Sequence, residues 1–429
     1  MTPPLLYRAY VALTSVILPF AALSSLRKLR AAGVPVERAH ERLGHATEDR
    51  AGTGPLVWFH AASVGESLSV LALITRMGRA LPRARFLITS GTPTSARLVA
   101  ERMPPSTLHQ YAPLDGAGPM RRFLDHWRPD AAVFVESEIW PQMLRLTRAR
   151  GTPMALVNAR LSAKSRKGWA KRRRTAAYVF DVFDLILTQN DEMAQAMVEL
   201  GAPPERVARG LNLKSLSDPL PVRPEVVAET ETALAGRPRW VAASTHEGEE
   251  AVVLDAHRAL LEGWPDLCLI LAPRHPQRGD AATDAIRTAG LSFTRRTEGG
   301  APSAQVYLAD TLGELGNWYA LTGFVFLGGS LFPIGGHNPF EVAQAGAAVL
   351  SGPHVTNFAE TFDEMEDRGA AVITPDAARI AAHAGEWLAD EDRLDRARRA
   401  ASKFAAQRRD QLDLIAERLI QALKLEDPE

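Results

Sequence analysis

Chemistry-bearing residues in this chain gather where short apolar runs break. Trp58-Phe-His-Ala-Ala-Ser-Val-Gly-Glu66 runs from an apolar stretch into a turn that ends on a carboxylate. A carboxylate aimed from a strand end at a substrate hydroxyl serves as a general base. Ser63 and Glu66 also have the spacing of a capping box that starts a helix, and both readings stay open. A third takes Ala61-x-Ser63-x-Gly65 as a near-miss to the nucleophile elbow, making Ser63 a hydrolase nucleophile served by Asp310 and His337. The first glycine of that motif is missing. Glu136-Ser-Glu-Ile-Trp-Pro141 follows another apolar run. Only one of its two carboxylates is expected to face a ligand.

The second half of the chain repeats the pattern. Residues 323 to 327 are apolar and break at Gly328-Gly329-Ser330, and Gly336-His337-Asn338-Pro339-Phe340-Glu341 follows. Asn338 suits an N-cap, Pro339 the first helical position and Glu341 a capping-box carboxylate. Strand, glycine loop and helix start in that order suit a phosphate. Ala243-Ser-Thr-His-Glu-Gly-Glu249, Pro273-Arg274-His275 and Asp310-Thr-Leu312-Gly313-Glu314 each follow a further apolar run. Arg274 offers a bidentate phosphate donor, while Glu314 and Glu341 are placed to accept from ribose hydroxyls. His246, His275 and His337 lack metal-ligand spacing, although they can meet in space. No Gly-x-Gly-x-x-Gly follows a strand and no Walker A run occurs, so dinucleotide redox and P-loop chemistry lack support.

The elements that must hold these groups read as α/β. Candidate strands lie at 56–61, 85–90, 131–136, 154–158, 184–188 and 207–211, with helical patterns such as 67–80 and 191–200 between them. A second series lies at 240–244, 267–272, 305–309, 323–327, 348–351 and 371–374. Such alternation implies parallel sheets, here two doubly wound Rossmann-like lobes whose ligands bind outside the carboxyl ends of the strands. At 429 residues the chain is too long for one core. The expected division is 1–30 as an N-terminal anchor, 31–220 and 221–395 as lobes, and 396–429 as a helical tail. The proline-rich stretch 217–239 between the lobes reads as a hinge.

Composition narrows the partners. Fifty basic residues balance fifty acidic ones, so nothing pulls the chain as a whole towards nucleic acid. Charge is locally dense in Lys164–Arg174, just past a strand end, which suggests acceptor phosphates or acidic lipid headgroups; Trp169 within it suits an interface. The single cysteine, Cys268, excludes an intrachain disulfide and fits a reducing compartment as core filler. Ala9–Leu26 is uncharged and apolar, followed by Arg27, Lys28 and Arg30. That order opposes a signal peptide and favours a membrane anchor, spanning or interfacial, with the body in the cytoplasm.

Taken together, Ser63-Val-Gly-Glu66, Glu136-Ser-Glu-Ile-Trp-Pro141, Asn158-Ala-Arg-Leu-Ser162, Ala243-Ser-Thr-His-Glu-Gly-Glu249, Pro273-Arg-His-Pro276, Gly328-Gly-Ser330 and Gly336-His-Asn-Pro-x-Glu341 resemble the 3-deoxy-D-manno-octulosonic acid (Kdo) transferases of lipopolysaccharide assembly. The resemblance implies a glycosyltransferase-B fold, with an N-terminal acceptor lobe, a C-terminal CMP-Kdo lobe and an anchor in the inner membrane facing the cytoplasm. It implies transfer of Kdo from CMP-Kdo to a lipid A precursor with inversion, without metal or other cofactor. Glu66 matches the family's base, and Glu136 and Lys214 match residues that stabilise the transition state. Pro273, Arg274, Leu312, Gly313, Glu314, Ser330, Asn338, Pro339, Phe340 and Glu341 match its CMP-binding segments. Around Lys214 the chain reads Gly210-Leu-Asn-Leu-Lys214, one residue longer than the family's usual Gly-x-Leu-Lys. A non-catalytic, membrane-tethered sugar-nucleotide sensor stands as a further alternative.

Overall fold

The computed structural model describes residues 2–50, 52–210, 212–213 and 219–426. It divides into two compact units: Met1–Leu216 with Asp410–Glu429, and Ser217–Arg409. The last long helix, Glu391–Ala422, therefore starts in the second unit and ends in the first.

The first unit is built on β1 (Leu56–His60), β2 (Arg85–Ser90), β3 (Thr107–Tyr111), β4 (Ala131–Val135), β5 (Met154–Ala159), β6 (Leu185–Thr188) and β7 (Val207–Arg209). They form one sheet in the order β3-β2-β1-β4-β5-β6-β7, with every pairing parallel. The second unit holds β8 (Arg239–Thr245), β9 (Cys268–Pro273), β10 (Phe293–Arg295), β11 (Val306–Leu308), β12 (Phe324–Leu327), β13 (Ala348–Ser351) and β14 (Ala371–Ile373). Their order is β10-β11-β9-β8-β12-β13-β14, again all parallel. Strand order reverses between β1 and β4 in one sheet and between β8 and β12 in the other. At such switch points the loops leaving adjacent strands diverge and open a crevice.

Burial explains why the strands read as apolar runs. Every residue of β1, β4, β5 and β6 is buried, as a parallel strand covered on both faces requires. Trp58 packs against Phe123 and Phe134, ring centroids 4.7 and 5.3 Å away, at the heart of the first core. Trp240 holds the matching place in the second, and Cys268 is buried there as expected. The sequence pattern misses β3 and β10, both outermost strands. An edge strand has only one neighbour, so it tolerates polar residues and loses the apolar signal. The stretch read as a hinge contains the helix Pro224–Leu234, with Pro224 at its first position.

The helix Leu5–Ala31 is long and apolar enough to cross a membrane. One stripe of it is fastened to the first unit. Tyr7 lies 5.1 Å from the Tyr178 ring, the Tyr10 hydroxyl donates to Asp115 at 2.6 Å, and Gln142 donates to Thr14 at 2.6 Å. Further along, Leu18 covers Gly116, where any side chain would collide with it, and Arg42 donates to Ser25. The opposite stripe leaves Leu13, Val16, Phe20 and Leu23 exposed, Phe20 by 73%.

Two buried histidines couple this packing to pH. Trp240 donates to His257 Nδ1, so His257 Nε2 carries the hydrogen that meets the Gln305 carbonyl. Arg38 donates to His109 Nδ1, and Ser90 faces its Nε2. Burial lowers His257 to about 4; burial, followed by the Arg38 charge, lowers His109 to about 3. Both are neutral when folded but take up a proton near the ordinary value of 6.5 when unfolded. Their stabilisation is complete above about pH 6.5 and is lost as pH falls towards 4, at about 1.4 kcal/mol per histidine per pH unit. Chemical denaturation between pH 7 and 4 should show this slope, reduced in the His257→Gln variant.

Candidate active site

In the first unit the polar groups collect just beyond β1 and β4, on either side of the switch point. Beyond β1, Ser63 caps the helix Val64–Ser69 by accepting from Glu66 N. The Glu66 carboxylate accepts from Ala62 N at 2.9 Å and Ser63 N at 3.4 Å, completing a capping box. Both bonds reach one oxygen, Oε2, and among the described residues Oε1 receives none. The cap and the base are therefore compatible readings of one side chain. Glu66 is 9% exposed. Burial, then the Glu138 charge, raises its proton affinity above the usual carboxylate value; the Ser63 hydrogen bond opposes this and Glu136 adds to it.

β4 ends at Val135, and Glu136 adopts φ +54°, a left-handed conformation costly for a residue with a side chain. Both carboxylates are buried and both act on Glu66, so the expectation that only one faces the site fails. Residues two apart share a face even on a strand, and here the chain has already left β4. Asn158, at the end of β5, also has a left-handed backbone, with φ +55°. Its Nδ2 donates to Glu136 Oε1 at 3.2 Å while its Oδ1 accepts from Leu213 N at 3.2 Å. Asn158 thus ties Glu136 to the residue that precedes Lys214. Lys214 itself lies outside the described residues. His60, the last residue of β1, went unread in the sequence: its Nε2 stands 3.2 Å from Glu138 Oε2. A histidine closing a wholly buried parallel strand was the available signal.

The second unit answers differently from the sequence expectation. The backbone N–H groups of the glycine loop after β12 are not open to a phosphate. Gly329, Ser330 and Leu331 all donate to the Glu249 carboxylate at 2.6 to 2.8 Å, and His246 N adds a fourth bond at 2.9 Å. Glu249 is fully buried and acts as an internal anion. Ser330 is buried too; its hydroxyl donates to Leu327 O and accepts from Gly352 N, so it fastens β12 to the chain beyond β13. Asn338 caps the helix Pro339–Gln344 through Phe340 N, and the Phe340 ring is in the core. That helix is six residues long, which keeps its dipole small. Glu341 is half-buried in its first turn.

Glu314 is committed as well. Arg296 holds it with two bonds of 3.0 and 3.2 Å, and Arg223 and Thr311 also donate to it. Burial alone would raise its proton affinity, but these donors outweigh burial and hold it below the usual range. Leu312 beside it is 72% exposed, and Gly313 makes the turn at φ +77°. Asp310 accepts from Arg295 and Thr297. His337 Nε2 meets His246 Nε2 at 2.9 Å with the rings stacked, and His275 packs edge-on against His246. Asp310 and His337 therefore do not pair with each other, which removes the Ser-His-Asp arrangement the hydrolase reading needed. Burial and then Arg274 lower His337 to about 4, so this pair is neutral at pH 7. Pro273 closes β9, and Arg274 beyond it is exposed, with no ion-pair partner among the described residues. Of the residues named from the sequence in the second unit, Arg274, Leu312 and Gly313 present themselves outward, whereas Ser330, Phe340 and Glu314 build the frame.

Glu249→Ala would leave four backbone donors unpaired, two of them fully buried, at a cost of about 3–5 kcal/mol. Glu249→Gln would replace one accepting oxygen with a donor and should also destabilise. Thermal unfolding of the two variants, with a distinct lower transition, checks this.

A family model described as 3-deoxy-D-manno-octulosonic-acid transferase matches residues 37–216. The chain is 35% identical to the 3-deoxy-D-manno-octulosonic acid transferase of Rickettsia felis, over 74% of this chain and 68% of that one. It is 32% identical to a probable mitochondrial 3-deoxy-D-manno-octulosonic acid transferase of Arabidopsis thaliana, over 87% and 86% of the two. In fold alone it is similar to a glycosyltransferase from Rickettsia africae, at 11% identity and a TM-score of 0.58, over 87% of this chain and all of that one. The two parallel doubly wound sheets, the carboxylates after β1 and β4, and these relatives lead to one conclusion: the chain belongs to the Kdo transferase family of glycosyltransferases.

Proposed function

We propose that the protein transfers Kdo from CMP-Kdo to a hydroxyl of a lipid A precursor, inverting the anomeric carbon. The acceptor oxygen attacks that carbon, its proton passes to Glu66, and the carbon–oxygen bond to the CMP phosphate breaks with its electron pair on the phosphate. The exposed guanidinium of Arg274 is the first-unit-independent cation offered to that phosphate, with Lys214 as a second candidate. The residues named carry the step with no cofactor besides the CMP-Kdo substrate.

The observation that carries the acceptor reading is a groove of about 760 Å³ in the first unit. Leu6, Leu13, Ile139, Trp140 and Trp169 give it an apolar lining, and Lys164 and Arg172 line it as well. Apolar walls joined by cations suit the acyl chains and phosphates of such an acceptor. The basic segment read from the sequence thus meets the N-terminal helix at one groove, which supports this reading.

The same helix supports attachment to the cytoplasmic face of the inner membrane. A helix bonded along one stripe to its own domain cannot be ringed by lipid over those turns, which favours lying in the surface with Val16 and Phe20 immersed. Arg27, Lys28 and Arg30 follow the apolar stretch and suit anionic headgroups.

Incubation with CMP-Kdo and tetra-acylated lipid A precursor, read by mass, should give Kdo-extended product. Glu66→Gln should cut turnover by roughly 100-fold or more while CMP affinity stays nearly unchanged; retained turnover removes Glu66 from the base role. Replacing Lys164 and Arg172 together by Ala should raise the acceptor KM roughly tenfold, at about 1 kcal/mol per cation. An unchanged KM would place the acceptor elsewhere.

A further inference from the structure

Glu138 is a buried carboxylate that the proposed transfer step does not use, and its surroundings are elaborate. Trp58 Nε1 donates to Thr89 Oγ1 at 2.8 Å, and that hydroxyl meets His60 Nδ1 at 2.9 Å. Thr89 has one hydrogen, and its other acceptor, Phe59 O, is farther at 3.3 Å. With the hydrogen given to Nδ1, the imidazole carries its own on Nε2, which stands 3.2 Å from Glu138 Oε2, close enough to act on its charge but out of line for a straight hydrogen bond. The Trp140 indole donates to that same oxygen at 2.6 Å. A row of buried donors therefore ends on one carboxylate, and charge-assisted bonds of this kind favour the ionised form. Burial works against that form, yet His60 and Trp140 together outweigh it and hold Glu138 below the usual carboxylate range.

The groups facing this cluster can be named. Glu138 and Glu136, beyond β4, act on Glu66 beyond β1, together with the Ser63 hydroxyl from Glu66's own helix. His60 and Trp140 face Glu138, and Asp115 lies within electrostatic reach of His60. Trp140 is 43% exposed and lines the apolar groove. One indole thus touches the groove with its ring and Glu138 with its N–H.

We propose that Glu138 is a positioning residue for the transfer: a fixed anion, held by His60 and Trp140, that makes Glu66 the stronger base and links its strength to the groove wall. A like charge nearby disfavours the ionised form of Glu66, so Glu66 gains more on taking the acceptor proton. The inference rests on the reading of Glu66 as base.

Its test is the pH profile of kcat/KM for Kdo transfer from CMP-Kdo to the tetra-acylated precursor. Glu138→Gln keeps the shape and removes the charge. The acid limb, where Glu66 becomes protonated, should move down by on the order of one pH unit. The plateau should fall as well, because the base is weaker. Trp140→Phe should move the limb the same way by less, and Glu138→Asp should restore part of the shift. A Glu138→Gln enzyme that is folded by circular dichroism, with a limb unmoved or moved upward, overturns the proposal. If Glu138→Gln is not folded, Trp140→Phe decides alone, and an unmoved limb there overturns it. Failure of the underlying reading looks different: Glu66→Gln would keep its activity across the whole profile.

Discussion

A parallel strand covered on both faces has no place for a charged side chain before its last residue. Two sheets of such strands therefore push every reactive group to one rim, where the backbone leaves the sheet and water or ligand can enter. β1 and β4 illustrate the constraint: five buried residues each, the last of β1 being His60, then Glu66, Glu136 and Glu138 within a few positions. β8 and β12 do the same for His246, Glu249 and the glycine loop. The switch in strand order at these pairs separates the outgoing loops and makes their rims the roomy ones.

Carboxylates serve both rims in unlike ways. Glu66 accepts two backbone N–H groups through one oxygen and keeps a small exposed fraction, whereas Glu249 accepts four through both oxygens and is sealed in. The first arrangement leaves a site for a proton; the second spends the whole anion on loop geometry. Each replaces a ligand that a glycine loop or helix start would otherwise attract from solution. The difference explains why similar motifs in the two halves do not carry similar duties.

Much of the architecture was legible from the chain. Long β-branched and aromatic runs marked the central strands to within a residue or two, and the edge strands β3 and β10 escaped because one-sided pairing permits His109, Gln110 and Thr294. Glu66 was readable from its spacing to Ser63. The structural role of Glu249 was not, since it depends on looped backbone that brings distant N–H groups to one point. Pro221, Pro224 and Pro238 suggested a break, although one of them begins a helix.

The stripe of bonds between the N-terminal helix and the body of the first unit has a mechanical consequence. Tyr10 to Asp115 and Thr14 to Gln142 leave no slack, so the attachment is a keel, not a leash. Were its outer stripe sunk among headgroups, as the proposed attachment has it, such a keel would set the Glu66 rim at a constant height over the lipid plane. A lipid acceptor would then never need to leave the bilayer. It would arrive by lateral diffusion, and encounter would become a two-dimensional search in which the hydroxyl must rise to a level the protein has already chosen.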